Sequence, residues 1–109
     1  MTKEKLVKIL NDTKIPYAYH HFAEGEAPKL PYLIYYYPDS ENFGADDTVY
    51  HSALDLTIEL YTEKRDFEKE WNLEETFFMN DLFWQKHEVY LETEKMYQVS
   101  YEMEAAVMG

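Results

Sequence analysis

The sequence predicts an α+β fold: a two-layer sandwich in which two helices lie on one face of an antiparallel or mixed sheet of four to five strands. Residues 54–61 alternate strictly between apolar and polar side chains, which is the two-residue period of a strand with one dry and one wet face. Two other segments, residues 2–12 and about 66–80, have helical spacing. The predicted order is α-β-β-β-α-β-β, and 109 residues suffice for a single α+β domain over residues 1–109.

The first predicted helix runs from Thr2 to Asp12. Its apolar side chains (Leu6, Val7, Ile9 and Leu10) fall on one side, and most of its lysines fall on the other. Pro16 disfavours helical geometry in the residue before it, so the helix is expected to end ahead of it.

Two short strands are predicted next, over residues 17–22 (YAYHHF) and 32–37 (YLIYYY), because both runs are rich in aromatic and β-branched residues. Residues 23–31 contain Gly25, Pro28 and Pro31 and are predicted to form a loop. Residues 39–47 (DSENFGADD) are predicted to be a long hairpin loop. Three residues near its tip are candidate partner contacts: Phe43, Asp46 and Asp47.

The long strand predicted from Thr48 to Thr62 organises the rest of the chain. A strand buried on both faces would be a continuous apolar run. The alternation of residues 54–61 therefore predicts an antiparallel sheet whose second face is open to water or to a partner.

The second predicted helix covers about residues 66–80. Its apolar set is Phe67, Trp71 and Phe78, continued by Leu82, spaced by three to four residues or multiples of that spacing. Two further strands follow, over residues 88–93 and 97–107. In the last one the apolar face is predicted to consist of Tyr97, Val99, Tyr101, Met103, Ala105 and Val107.

The composition is acidic, with 22 Asp and Glu against 10 Lys and Arg and a formal net charge of −12. Direct nucleic-acid binding is not expected, because phosphate contacts need clustered cations. A charge of this sign is typical of a soluble, self-repelling surface. It is also compatible with an acidic channel that DNA passes without sticking, or with a DNA mimic that binds a basic partner.

The sequence has no motif of a catalytic, cofactor or metal site. His20 and His21 are adjacent in a predicted strand, so they are expected to face opposite ways, and no HExxH spacing is present. A P-loop, a dinucleotide-binding glycine motif and a nucleophile elbow are also missing. We therefore predict no enzyme activity, no cofactor and no metal. The chain has no cysteine, no signal-peptide pattern and no long apolar run, which favours the cytoplasm.

The eleven tyrosines have two interpretations. Most lie in predicted strands, where aromatic residues pair across strands and fill the core. Tyr61 and Tyr90 are predicted on the polar faces of their strands, and tyrosine is enriched at interface centres. Both are therefore candidate interface residues.

Four segments together resemble the small tail-completion proteins encoded by prophages of Gram-positive bacteria: the opening helix, IPYAYHHFAEGEAPKLPYLIYYYPDS, LDLTIELYTEKRD and EKMYQVSYEMEAAV. The resemblance covers nearly the whole chain and is one of pattern. Such proteins are similar in architecture to the tail terminators of long-tailed phages, which form a hexameric ring on the end of the tail tube.

The resemblance implies a structural protein that caps the tail tube and contributes to the head–tail joint as a ring-shaped homo-oligomer. Its partners would be the tail tube protein and the head–tail connector proteins, with DNA only as cargo. It would lie in the host cytoplasm during assembly and in the virion tail or neck afterwards. Six copies would carry six times −12, or −72, formal charges, which would repel passing DNA. The alternative from a different class is an acidic DNA-mimic inhibitor of a basic partner.

Overall fold

Two helices and a six-stranded sheet make up the computed structural model, which describes residues 1–45 and 49–109, with the backbone alone for residues 42–45 and 49–51. The α+β class predicted from the sequence is confirmed, with a mixed, open sheet. The elements in chain order are α1 Lys3–Asp12, β1 Tyr17–Tyr19, β2 Tyr32–Tyr36, β3 Ser40–Ala45, β4 Val49–Thr62, α2 Phe67–Met79, β5 Gln85–Leu91 and β6 Met96–Met108.

The sheet has the order β1-β2-β4-β6-β5, and β3 also pairs with β4. β1 is parallel to β2, and the other pairings are antiparallel. β4 is the central strand, as the sequence predicts. One of its edges pairs with β6, and its other edge pairs with β3 along its first half and with β2 along its second half.

Strand β3 corrects the prediction of a loop over residues 39–47. Its backbone pairs with β4 from Ser40 opposite Leu54 to Ala45 opposite Val49. The segment SENFGA has little intrinsic strand preference, so the ladder on β4 is what makes it a strand. β6 pairs with β4 only from Ala53 onward. Residues 49–52 of β4 and their β3 partners therefore form a two-stranded arm.

The molecule is elongated. Its extents are 51 × 30 × 23 Å and its radius of gyration is 15.1 Å, whereas a compact domain of this length has a radius of about 13 Å. The two-stranded arm is one source of the length, because it extends past the part of β4 that the rest of the sheet covers.

Both helices contribute to one core on one face of the sheet. Leu6 and Leu10 of α1 and Leu73 and Phe77 of α2 are buried in the same cluster. The sheet supplies Leu33, Leu56, Ile58, Leu60, Val99, Tyr101 and Met103 to it. Burial of such side chains contributes about 1.5–3 kcal/mol each, and the predicted dry face of β4 is confirmed.

Helix α2 buries a different side from the one that its apolar spacing predicts. Its buried residues are Glu70, Leu73 and Phe77, whereas Trp71 and Phe78 are each 67% exposed. Residues three or four apart share a side of a helix. The buried residues therefore lie on one side of α2, and Trp71 and Phe78 lie on the side next to it. The side with Glu70 is buried because nearby cations neutralise that carboxylate, as described below.

Strand β6 is irregular near its end. Leu54 pairs with Val107 and Leu56 with Met103, so β6 has two extra residues at this point. Ala105 adopts a left-handed φ of 48° and is exposed, and its N–H donates to Asp55 Oδ1 at 2.8 Å. The prediction that Ala105 lies on the apolar face is therefore wrong; its neighbour Ala106 is buried instead.

Among the described residues, neither helix has the length and apolarity needed to cross a membrane.

Candidate protein interface

Three strongly exposed aromatic residues lie along one side of α2. Phe67, Trp71 and Phe78 are 53%, 67% and 67% exposed, and their spacing of four and seven residues places them in one row about 16 Å long. We call these three residues the aromatic stripe. The Arg65 guanidinium lies 4.5 Å from the centre of the Phe67 ring, and the other two side chains project into solvent.

The aromatic stripe lies on the side of α2 next to strand β5. Glu74 shares that side of the helix, and its carboxylate is 2.7 Å from the Lys86 ammonium of β5. Near the C-terminal end of α2, Met79 and Phe83 are also strongly exposed, at 74% and 75%. The helix flank and the β5 edge are therefore parts of one surface.

Strand β5 forms one edge of the sheet. Its only partner among the described strands is β6, and every residue from Gln85 to Tyr90 is exposed. An unpaired strand edge is a template for pairing with another chain unless charges or bulges protect it. Two charged residues of β5, Lys86 and Glu88, point to the helix face and do not shield the edge.

The aromatic stripe is comparable in size to known apolar patches. At about 150–250 Å² for a whole aromatic side chain, its three rings expose about 280–470 Å². The largest apolar patch of a typical monomer is about 300–600 Å² and is often functional, and a standard interface covers about 800 Å² on each partner. The stripe is therefore large enough to be the apolar centre of an interface.

A buried ion cluster holds α2 in the orientation that exposes the stripe. Glu70 is 1% exposed and accepts two hydrogen bonds from Arg65, at 2.9 and 3.0 Å, while Lys86 lies 2.8 Å away. Arg65 also contacts Glu88, and Lys86 contacts Glu74. Burial alone would raise the pKa of the Glu70 carboxyl, but Arg65 and Lys86 outweigh it and lower that pKa. Glu70 is therefore ionised inside the helix–sheet layer.

Both helices of the described chain pack on the first sheet face, and neither lies over the second. Its central residue is Glu59, whose carboxylate accepts hydrogen bonds from the hydroxyls of Tyr36, at 3.1 Å, and Tyr61, at 2.8 Å. Tyr61 in turn accepts one from Gln98 at 2.7 Å. Burial and the Glu59 carboxylate raise the pKa of Tyr61, against the opposing hydrogen bond from Gln98. The side chains of Tyr36, Glu59, Tyr61 and Gln98 therefore form one hydrogen-bonded network on this half-buried face.

The structure separates the two tyrosines that the sequence places together. Tyr61 lies on the open face, as expected. Tyr90 pairs with Tyr97, one position away from the Val89–Gln98 pair that shares the face of Tyr61. Tyr90 therefore lies on the helix face, where it is 45% exposed. The prediction that Tyr90 lies on the open face is wrong. The face of β5 with Lys86 and Glu88 is turned inward because Glu70 and Arg65 bind those residues.

The other three predicted contact residues belong to the arm. The backbone of Phe43 lies in β3, opposite His51. Asp46 and Asp47 lie outside the described residues. Their role as contacts stays a prediction.

At the opposite edge of the sheet, β1 lies under the C-terminal end of α1. The Tyr17 hydroxyl donates to Asn11 Oδ1 of the helix at 2.6 Å, and Tyr19 is 51% exposed. The ring centres of Tyr19 and Tyr35 are 5.3 Å apart, and those of Tyr19 and Tyr37 are 5.6 Å apart. This edge is therefore a tyrosine cluster beside a helix.

The two adjacent histidines do not face opposite ways. β1 ends at Tyr19, and His20 has a left-handed φ of 67°, so the strand alternation does not reach His21. The Nδ1 atoms of the two rings are 3.3 Å apart. Among the side chains that the structure describes, those of residues 1–41 and 52–109, no group of three or more His, Asp or Glu is arranged to hold a metal ion.

A groove of about 880 Å³ crosses the irregular part of β6. Its walls combine apolar residues, including Leu82 and Trp84, with the carboxylates of Asp39, Asp55 and Glu102. The Asp55 carboxylate raises the pKa of the nearby Glu41, and Asp55 also fixes the backbone of β6, as described above. Asp55 therefore has a structural role at the base of the arm.

Comparisons of this chain with protein families, with curated proteins and with solved structures found no match.

Proposed function

We propose that this chain is a structural protein of phage tail assembly, of the tail-terminator or tail-completion type. It caps the tail tube and contributes to the head–tail joint as a ring-shaped homo-oligomer. Its partners are the tail tube protein and the head–tail connector proteins, and it acts in the host cytoplasm during assembly and in the virion tail or neck afterwards. Its role is to bind proteins, and it transforms no substrate.

The observation that carries the proposal is the apolar surface formed by the aromatic stripe beside the unpaired edge of β5. Leaving Trp71 and Phe78 in water forgoes about 1.5–3 kcal/mol each relative to burial, and a protein partner would recover that free energy. Aromatic residues are also the side chains most enriched at interface centres. A protein that exposes a row of aromatic side chains beside an unpaired strand edge is suited to assembly.

Two further features support a place in a tail. The two-stranded arm extends past the body of the sheet, which suits a contact with a neighbouring subunit or tube. The net charge of −12 suits a ring through which DNA passes, because like charges repel. The choice of a tail as the assembly comes from the sequence resemblance.

A DNA mimic would present an array of carboxylates as its contact surface, whereas the surface beside β5 is aromatic, which favours assembly over mimicry.

Tail tubes assembled in vitro provide the test. Tube protein encoded beside this chain's gene is polymerised with and without the purified chain, and tube length and tip density are measured by electron microscopy. We expect shorter tubes with density of the chain at one end. Trp71→Ala with Phe78→Ala should abolish capping, and Lys29→Ala, in the exposed loop before β2, is the matched control. Tubes of unchanged length with bare tips would refute the proposal.

A further inference from the structure

The two edges of this sheet differ in charge as well as in position. Residues 1–14 contain four lysines and two acids, a net charge of +2, and the remaining residues contain six cations and twenty acids, a net charge of −14. Residues 63–94, which include α2 and β5, contain ten acids and four cations, a net charge of −6. The chain is therefore acidic at one sheet edge and basic in the helix over the other.

The basic side chains of α1 are available to a partner. Lys3, Lys5, Lys8 and Lys14 are all exposed. α1 crosses the sheet from the end of β6, where the Met1 backbone binds Ala106 and Met108, to β1, where Asn11 contacts Tyr17. The Lys3 ammonium lies 5.7 Å from the ring centre of Tyr37 at this edge, whereas Lys5 lines the groove beside Phe83. This edge therefore combines exposed lysines with the tyrosine cluster.

The acidic side chains of α2 border the aromatic stripe. Glu68 and Glu75 are exposed. Glu68 directly follows Phe67, and Glu75 lies three residues before Phe78, so both carboxylates lie beside the aromatic stripe. The acids of the buried cluster, Glu70 and Glu74, are already paired with Arg65 and Lys86. Glu68 and Glu75 are the two exposed carboxylates of α2.

We propose that the partner of the aromatic stripe is a second copy of this chain, bound head to tail. The β5 and α2 edge of one copy packs on the β1 and α1 edge of the next. Lysines of α1 then meet Glu68 and Glu75, and the tyrosine cluster meets the aromatic rings. A symmetric contact between two β5 edges would bring two acidic edges together, and like-charge juxtaposition across an interface is unfavourable.

Head-to-tail contacts of this kind close into rings or continue as filaments, depending on the rotation between copies. The inference deepens the proposed function, because it assigns the subunit contact of the proposed ring. Self-association of the purified chain needs no tail tube, so it is measured separately from capping. Association without capping would leave this inference standing and remove the proposed function.

Charge reversal on each edge provides the test. Variant A carries Lys3→Glu and Lys8→Glu, variant B carries Glu68→Lys and Glu75→Lys, and variant AB carries all four changes and keeps the wild-type net charge of −12. Sedimentation velocity over a concentration series gives the self-association constant of each. We expect A and B alone to associate at least about tenfold more weakly than wild type, since each sets like charges against each other.

Restored association distinguishes head-to-tail packing from a general charge effect. Variant AB, and an equimolar mixture of A and B, should associate nearly as strongly as wild type. In AB every contact joins two reversed edges, and in the mixture such contacts alternate with contacts between two wild-type edges. Circular dichroism confirms folding, and all four positions are exposed. A wild-type chain that stays monomeric up to about 1 mM, or an A and B mixture no stronger than its components, would overturn the proposal.

Cross-linking gives a second readout that does not depend on charge. The chain has no cysteine, so Lys8→Cys and Glu75→Cys introduce unique thiols at the two edges. With a bismaleimide, the chain with both cysteines should give a ladder of oligomers, and each single variant should stay monomeric. Dimers from Glu75→Cys alone would indicate a symmetric contact and refute head-to-tail packing.

Discussion

Glu70→Gln should destabilise the fold strongly although the side chain keeps its size. The change removes the charge that Arg65 and Lys86 share, and leaves both cations against a neutral amide in a site where Glu70 is 1% exposed. Removing one member of a buried ion pair costs about 3–5 kcal/mol. Arg65 retains Glu88, and Lys86 retains Glu74, so we expect the lower end, about 3 kcal/mol.

A loss of this size is a large part of the stability expected for a domain of this length, about 5–15 kcal/mol. At about 4 °C for each kcal/mol, the unfolding midpoint should fall by about 12 °C. Urea unfolding at a concentration where the chain is monomeric measures the change, followed by circular dichroism and by the fluorescence of Trp84, which packs against Phe77. Glu75→Gln, on the exposed side of the same helix, is the matched control and should change stability by less than about 0.5 kcal/mol.

The reasoning would be refuted if Glu70→Gln cost less than about 1 kcal/mol relative to Glu75→Gln, since a surface ion pair contributes about that much. Such a result would mean that water reaches the cluster and that it does not set the orientation of α2.

Three further predictions concern other parts of the molecule. Acid should remove the contribution of Glu70: because its folded-state pKa is lowered, that contribution is present above the unfolded pKa of about 4.3 and lost as the pH falls through the folded value. The difference in urea midpoint between wild type and Glu70→Gln should therefore narrow from about pH 6 to about pH 3, and a constant difference would contradict the assignment. Asp66→Ala removes the side chain that accepts the Lys69 N–H at 3.0 Å, and should cost about 1 kcal/mol in thermal unfolding, whereas Asp66→Asn should retain most of the cap. Tyr61→Phe removes the hydroxyl between Glu59 and Gln98 and should cost about 1 kcal/mol in urea, with Tyr90→Phe as the exposed control; equal effects of the two changes would count against the network.

Much of the fold could be predicted because it depends on local pattern. The alternation of β4 predicts its dry face, and Leu56, Ile58 and Leu60 are all fully buried. Helix α1 begins and ends within one residue of the predicted positions, because its cap and its apolar side lie within one short segment. Asp66 likewise caps α2 from a position directly before the helix.

The candidate site was predicted less well because it depends on distant partners. β3 is a strand because β4 lies beside it, although SENFGA has no strand pattern. Tyr90 lies on the helix face because Lys86, four residues before it, binds Glu70 and Glu74 of α2, and Glu88, two residues before it, binds Arg65. The polarity of the β5 side chains suggests the opposite orientation, since charged residues are seldom directed into a core.

The amino-acid sequence by itself determines that the chain forms a half-wet sheet with two helices, because side-chain periods of two and 3.6 residues are local properties. It also determines that α2 has more apolar side chains than one buried side can hold. Only the tertiary structure decides which of those side chains are buried. Arg65 and Lys86 converge on Glu70 from separate elements, the neutralised carboxylate enters the layer between helix and sheet, and Phe67, Trp71 and Phe78 are left facing solvent.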